Sequence, residues 1–295
     1  MAMHQKKKAI GLLVLSSFFF ALMSTFVRLA GDLPSVQKMV FRNSVSAVAA
    51  AVILLRDRQS LAVPKESRLP LATRILCGAG SVFCNYYAID RLLLANSNSL
   101  SKLSPFFAIV FAGIFLGERV TKTQAGCIGL ALLGSGFLIF PNRSALGPSA
   151  AIGLLGGILS GGAHVSLRAL RKKDQISGSV IVFWFSTLSL IGVLIPAMAD
   201  WRPMSPAQLI CLLLAGSSCA AAQFGLTEAY RYAPPREISI FDFSQILFSG
   251  LLGFVVFGQV PGLYSWAAYG FILLAAGLLF HSQQEEPENA PAGEH

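Results

Sequence analysis

The chain has 295 residues, of which 54% are hydrophobic and 13% are charged, and its net charge is +9. A soluble domain usually carries about 25% charged residues. This composition therefore excludes an ordinary soluble protein and, with apolar runs of about 20 residues, indicates an integral membrane protein. The basic residues lie between the apolar runs and form no continuous stripe, so they predict membrane orientation and argue against a nucleic-acid partner.

Ten apolar runs follow one another along the chain, and each is long enough to predict an α-helix that crosses the bilayer. The connections between them are short, so neighbouring spans are expected to run antiparallel. The acidic, proline-bearing segment after the last run is predicted to be a disordered cytoplasmic tail, residues 282–295. In chain order the predicted spans lie near residues 9–30, 35–55, 69–89, 95–116, 121–140, 149–171, 177–199, 205–231, 236–257 and 263–281.

The chain contains an internal repeat. The residues LGE at 116–118 recur as FGQ at 257–259, which is 141 residues later, and IGLL at 10–13 recurs at 152–155. Five spans per repeat is an odd number, so two similar halves in series must insert with opposite orientation. The sequence thus predicts two five-helix repeats of inverted topology, a signature of transporters with alternating access. Their bounds are 1–140 and 149–281.

The distribution of lysine and arginine predicts that both termini face the cytoplasm. With the N-terminus inside, sixteen basic residues fall on the inner side and four on the outer side. The inner set is Lys6, Lys7, Lys8, Arg56, Arg58, Lys65, Arg68, Arg74, Arg119, Lys122, Arg168, Arg171, Lys172, Lys173, Arg231 and Arg236. The outer set is Lys38, Arg91, Arg143 and Arg202.

Several loose motifs occur in a fixed order along the chain. They are Arg42 in the second span, Tyr87-Ala88 closing the third, Pro105 inside the fourth, Leu116-Gly117-Glu118-Arg119, Gly126, Gly129 and Gly134 along the fifth, Ala229-Tyr230-Arg231-Tyr232-Ala233-Pro234, and Phe241-Asp242-Phe243. In order, spacing and duplication this set resembles the EamA-type transporters of the drug/metabolite transporter superfamily, over nearly the whole chain.

Two positions depart from a full duplication. Gln259 stands opposite Glu118, and Ile246 stands opposite Pro105, so the acidic residue and the proline break are expected in one half only.

The resemblance implies a ten-helix bundle in the bacterial inner membrane that moves a small-molecule substrate without a cofactor. It implies a central cavity lined by the first, third, fourth, sixth, eighth and ninth spans. The fifth and tenth spans would sit apart, so the chain would be a monomer or a homodimer through these two spans.

Lys102 and Asp242 carry the costliest charges in the predicted spans. Each lies about seven residues inside its span, roughly 10 Å deep at 1.5 Å per residue, and a charge at the bilayer centre costs about 2.5–3.5 kcal/mol on insertion scales. Their positions are nearly equivalent, because Ser101 aligns with Asp242. Two hypotheses remain open: the two residues form a structural pair, or they contact the substrate or handle a proton.

The segment just before Pro105 is almost entirely polar. Six of the seven residues from Asn96 to Lys102 are polar, Asn98 and Ser99 among them, and such a run would be costly against lipid. Pro105 itself predicts either a static kink or a hinge beside a cavity.

The remaining candidates are weaker. His164, midway along the sixth span, is predicted either to pair with a backbone carbonyl or to take part in substrate or proton binding. Candidates for cavity lining occupy near-matching positions in the two repeats: Asn85, Tyr86 and Tyr87 on the third span, and Gln223 and Glu228 on the eighth. Arg42 and Glu118 are predicted to be structural, the latter bracing the turn into the fifth span.

Signatures of enzymes are missing from the sequence. It contains no GxxxxGK[ST] phosphate loop, no HExxH and no histidine or cysteine spacing typical of a metal site,. We therefore expect a secondary transporter of an amino-acid-like or organic-acid solute, coupled to protons or driven by exchange. An uncoupled facilitator is an alternative of the same class, and a lipid-handling or scaffold protein is an alternative of another class.

Overall fold

The computed structural model describes residues 2–117, 120–139, 147–171, 176–232 and 238–285. Short 3-10 helices lie at Lys65–Ser67 and Ser239–Phe243. The α-helices of the described residues are α1 (Ala2–Leu29), α2 (Ser35–Arg56), α3 (Arg68–Arg91), α4 (Leu94–Ser101), α5 (Ser104–Leu116), α6 (Lys122–Ile139), α7 (Gly147–Arg171), α8 (Gly178–Ala199), α9 (Pro206–Tyr232), α10 (Ser244–Phe257) and α11 (Leu263–Glu285).

These helices form the ten predicted membrane segments. α4 and α5 together make the fourth segment, and the second 3-10 helix continues into α10 to make the ninth. By length and composition, eight segments among the described residues are apolar enough to cross a membrane, and α3 and α6 fall outside that set. α3 carries the charged residues Arg68, Arg74, Asp90 and Arg91, so it depends on its neighbours for burial. α11 extends to Glu285, so residues 282–285 of the predicted tail are helical.

The packing has the two-fold pattern expected of an inverted repeat. α1 packs along α9, and its repeat counterpart α7 packs along α3; α2 packs on its own counterpart α8, and α6 on α11. Equivalent helix ends also match. α5 ends at Gly117 with φ 67°, and α10 ends at Gly258 with φ 63°, both in the left-handed conformation that glycine adopts without strain. The prediction of two inverted five-helix repeats is confirmed.

The fourth and ninth segments are both interrupted. α4 ends at Ser101 with Lys102 as its C-cap, and Pro105 lies in the first turn of α5. The break lies in the turn before the proline, where the missing N–H and the clash with the carbonyl of residue 101 interrupt a helix. A hinge role of Pro105 stays a prediction. The ninth segment is interrupted as well, by the 3-10 helix Ser239–Phe243. The proline break occurs in one half only, as predicted, and the second half has a break without a proline that the sequence does not predict.

Glycines on α7 let it approach the broken fourth segment. A methyl group added at Gly157 would lie 2.6 Å from the carbonyl oxygen of Leu100, and one added at Gly161 would lie 2.6 Å from Cβ of Phe107. Only a residue without a side chain permits this backbone contact. α7 is thus held directly against both sides of the break.

Replacing Gly157 with alanine is expected to lower the thermal unfolding temperature. The added methyl overlaps a backbone atom that has no room to yield, and overpacking of this kind costs about 1–3 kcal/mol. Gly129→Ala on α6 is the matched control, because nothing lies within 4 Å of its added methyl and alanine favours a helix. Equal unfolding temperatures of the two variants in detergent would contradict this account of the α7 contact.

The fifth and tenth segments pack on each other within one chain. The rings of Phe137 on α6 and Phe271 on α11 stack with centroids 5.4 Å apart at an interplanar angle of 6°. Gly126, Gly129 and Gly270 on the same two helices meet no neighbouring atom within 4 Å. A homodimer through these helices stays a prediction.

Candidate functional site

Lys102 and Asp242 meet at the point where the two broken segments cross. Lys102 ends α4, and Asp242 lies in the 3-10 helix that precedes α10. Nζ of Lys102 lies 2.5 Å from Oδ2 of Asp242, and the two side chains are 11% and 24% exposed. The hydroxyl of Ser17 on α1 donates to Oδ1 of Asp242 at 3.2 Å. The structure thus brings together one cation from the first repeat and one anion from the second.

Two aromatic rings next to the breaks contact each other. Phe106, in the first turn of α5, and Phe243, at the end of the 3-10 helix, contact each other edge to face with centroids 6.4 Å apart. Their residues are 2% and 6% exposed. The contact between these rings joins the two breaks.

Asn98 and Ser99 serve the packing of the broken helices. Asn98 is 1% exposed. Its Oδ1 accepts from the hydroxyl of Ser24 at 3.1 Å and from Nε2 of Gln245 at 3.2 Å, and its Nδ2 donates to the hydroxyl of Ser249 at 2.7 Å. Asn98 therefore links α1, α4 and α10. The fully buried Ser99 donates to a carbonyl oxygen one turn earlier in α4, so the structure places neither side chain at an open surface.

His164 has charged neighbours from both repeats. It lies near the middle of α7, yet it is exposed, and it interacts electrostatically with Arg74, Asp242 and Lys102. Among the described residues its ring makes no hydrogen bond, so the predicted backbone-carbonyl partner is not observed there. His164 and the ion pair thus lie within electrostatic range of each other.

The three candidates on α3 lie in different surroundings. Nδ2 of Asn85 donates to the hydroxyl of Ser101, next to Lys102. Tyr86 is 1% exposed and packs in an apolar cluster with neighbours on α1, α2 and α9. The ring of Tyr87 lies under the guanidinium of Arg91, 3.7 Å from its central carbon. Of the three, Asn85 is the residue that reaches the break.

The remaining candidates lie on α2 and α9 or outside the described residues. Gln223 and Glu228 are half-buried on α9. Arg42 is buried in α2, and its Nη1 donates to Oδ1 of Asn43 at 3.0 Å. Glu118 lies outside the described residues. Its repeat counterpart Gln259 accepts a hydrogen bond from the backbone N–H of Leu94 at 2.9 Å, so it caps the start of α4 from the other repeat.

One end of the bundle is closed by contacts between α1, α2 and α3, and we call this the closed end. Nη1 of Arg28 donates to the carbonyl oxygens of Ile89, at 3.2 Å, and of Leu92. Nζ of Lys38 lies 2.6 Å from Oδ1 of Asp90, and the lysine side chain is fully buried. These groups join the last turns of α1 and α3 to the first turns of α2.

The opposite end lacks the equivalent contact. By repeat symmetry the packing of α1 on α3 corresponds to packing of α7 on α9, but within 147–171 and 206–232 these two helices form no comparable contact. Among the described residues, α7 and α9 are therefore packed less closely than α1 and α3.

A cavity of about 370 Å³ lies elsewhere, between α3 and α8 near the Lys65–Ser67 turn. Its lining is apolar apart from Arg68 and Trp184, and it includes none of the residues of the ion pair. We do not assign the site to it, because it lacks convergent polar groups.

Sequence reasoning missed several charged contacts. The charge distribution predicts Lys38 on the outer side and Arg74 on the inner side of the membrane, and both residues lie inside helices. Asp90 was not singled out at all. A signal for the pair existed: Asp90 near the end of the third span and Lys38 near the start of the second belong to the same side of the membrane.

Comparison with known proteins places the chain in a family. The model of the EamA-like transporter family matches residues 7–140 and again 148–281. The pseudopaline exporter CntI of Pseudomonas aeruginosa is 28% identical over 281 residues, covering 93% of this chain and 96% of its own. A riboflavin transporter of Rhizobium johnstonii is 26% identical over 220 residues, which are 75% of this chain and 72% of that protein. A solved structure superposes with a TM-score of 0.66 at 15% identity, over 94% of this chain and 99% of its own, which supports the fold alone.

Proposed function

Because this chain belongs to the EamA-like transporter family, we propose that it is a secondary transporter that moves a small organic solute by alternating access. The observation that carries the proposal is the ion pair between Lys102 and Asp242, one from each repeat, at the crossing of two interrupted segments. Interrupted helices near the bilayer midplane are where transporters of this architecture bind substrate and coupling ion.

The asymmetry of the bundle supports the alternating-access part of the proposal. The closed end joins α1 to α3, and the equivalent helices α7 and α9 are apart. In a protein with two-fold pseudosymmetry, exchanging these two arrangements would close one end and open the other. Following the bias in lysine and arginine, we propose that both termini face the cytoplasm of a bacterial inner membrane, so that the described state is open inward.

The charges suggest the solute class. Two relatives are named for organic solutes, pseudopaline and riboflavin. A solute with an anionic and a cationic group, such as an amino acid, would compete with both partners of the pair. Protonation of Asp242 would also release Lys102, and this provides a route for proton coupling or for exchange. An uncoupled facilitator would use the same site without the proton.

The test is transport by the purified full chain in proteoliposomes, with a panel of radiolabelled amino acids and organic acids. We expect accelerated uptake of at least one solute over empty liposomes, with a rate that changes when a pH gradient is imposed. Uptake that ignores the gradient but rises with a counter-solute inside would support exchange, and uptake that ignores both would support the facilitator. Absence of uptake, together with no rise in unfolding temperature with any solute, would favour the scaffold alternative and overturn the proposal.

A further inference from the structure

Two arginines lie against one phenylalanine ring inside the bundle. Arg42 on α2 is 8% exposed, and Arg74 lies on α3. The central guanidinium carbons are 5.9 Å and 4.8 Å from the ring centroid of Phe185 on α8. The Nε atoms of both arginines are buried and have no hydrogen-bond partner.

The described residues supply no carboxylate for these two cations. The polar neighbours of Arg42 are Asn43, Tyr86 and Cys219, and the neighbour of Arg74 outside this set is Cys77. The buried lysines differ in this respect. Lys38 is paired with Asp90, and Lys102 with Asp242.

The arrangement is costly for an empty site. Burying a charge requires a partner, and two like charges close enough to interact in a low dielectric also repel each other. The cation–π contacts with Phe185 offset this only in part, because such a contact is worth about 2 kcal/mol when desolvated. Guanidinium groups are suited to planar anions, since their paired N–H donors match the two oxygens of a carboxylate.

One of the two arginines also lies within electrostatic range of His164. Arg74 interacts electrostatically with both Arg42 and His164. His164 is exposed and interacts with the ion pair of Lys102 and Asp242. The ion pair and the guanidinium group of Arg74 therefore lie within electrostatic range of the same exposed residue, His164.

We propose that Arg42 and Arg74 form an anion subsite that binds a carboxylate of the transported solute, with Phe185 fixing the two guanidinium groups around it. The inference rests on the proposed transport function and narrows it to organic anions or zwitterions. A small inorganic anion could match the same donors, so the experiment separates the two sources.

The experiment measures thermal unfolding of the full chain in detergent, with millimolar succinate, citrate or glutamate as probes. Dimethyl succinate and sodium chloride at matched ionic strength are the controls, and phosphate tests the inorganic source. We expect at least one carboxylate to raise the unfolding temperature well beyond all three. The proposal for a solute carboxylate would be overturned if no carboxylate raised the unfolding temperature more than sodium chloride does. It would also be overturned if phosphate raised it as much as the carboxylates do.

Variants separate binding from packing. Arg42→Gln and Arg74→Gln are each expected to raise the dissociation constant for the active carboxylate at least tenfold. The unfolding temperature without ligand should stay the same or rise, because the repulsion between the two cations is removed. Arg56→Gln, exposed on the same helix as Arg42, is expected to leave both unchanged. If the variants lost much stability but the carboxylate still raised their unfolding temperature as much as it does in the parent, the arginines would serve only the packing around Phe185. If a glutamine variant does not fold, Arg74→Lys keeps the charge and should bind more weakly than the parent but measurably.

Failure of this inference is distinguishable from failure of the proposed function. Arginine-dependent carboxylate binding without uptake in proteoliposomes would support the subsite and contradict transport. Uptake of a solute that no carboxylate inhibits would support transport and contradict the subsite.

Discussion

Asp242→Asn is expected to reduce transport below about a twentieth of the parent rate while the protein stays folded and inserted. The change leaves the ammonium of Lys102 without its anion, and removes the group at the crossing that can release a proton. Breaking a fully buried pair costs about 3–5 kcal/mol. This pair is 11% and 24% exposed, so the cost should be smaller and tolerable.

The measurement is solute uptake in proteoliposomes at equal reconstituted protein. Asp200→Asn is the matched control, because Asp200 forms an ion pair with Arg202 in which both side chains are more than half exposed; exposed pairs contribute little.

The double variant Lys102→Ala/Asp242→Asn decides what the pair does. If the pair is only a bridge between the repeats, removing both charges also removes the unpaired charge, and uptake should recover to a large part of the parent rate. If the residues serve the substrate or a proton, the double variant should be stable and inactive, which is the result we expect. Near-normal uptake by either single variant would contradict both roles and direct attention to His164 and Glu228.

Asp90→Asn is expected to make position 164 accessible from both sides of the membrane. The substitution leaves the fully buried Lys38 unpaired, which weakens the closed end without touching the ion pair at the breaks. A few kcal/mol is enough to change the ratio of two conformations by more than tenfold. A cysteine placed at His164 reports the change, because that position is exposed.

The measurement is the rate at which a charged, membrane-impermeant thiol reagent modifies His164→Cys from each side. With Asp90 intact, we expect modification only from the side of the α1 N-terminus. With Asp90→Asn, the rate from the other side should rise at least tenfold, and with Asp200→Asn it should not rise. The parent with its five native cysteines gives the background, since Cys77 and Cys211 are partly accessible. Labelling from both sides before any substitution would refute the assignment of a closed end.

Hydropathy and the repeat were enough to predict most of the fold. Membrane thickness fixes the length of a span, and lipid permits only helices there, so the apolar runs gave ten segments. The 141-residue offset gave their inverted pairing. The second break was not predicted, because Ser239–Phe243 is largely apolar and has no proline to mark where the helix loses its regular hydrogen bonds.

The site was predicted in part. Lys102 and Asp242 stood out because charge deep in a span is expensive, and the structure shows that they meet. A polar run predicts Asn98 as a site residue and repeat position predicts Tyr86, but neither signal fixes the rotation of a helix about its axis. Their faces turn toward other helices. The arginine pair needed contacts between α2, α3 and α8 that no pattern within one span reveals.

The ion pair also explains why the two repeats have not stayed interchangeable. Asp242 stands at the position of Ser101, and Lys102 at that of Phe243. A protein assembled from two copies of the present first half would bring two lysines to the crossing and no carboxylate, and two copies of the second half would bring two aspartates. A neutral centre at this crossing therefore requires two halves that differ in sequence. Fusing either half to itself should therefore retain the helix topology and lose the charge balance at its centre.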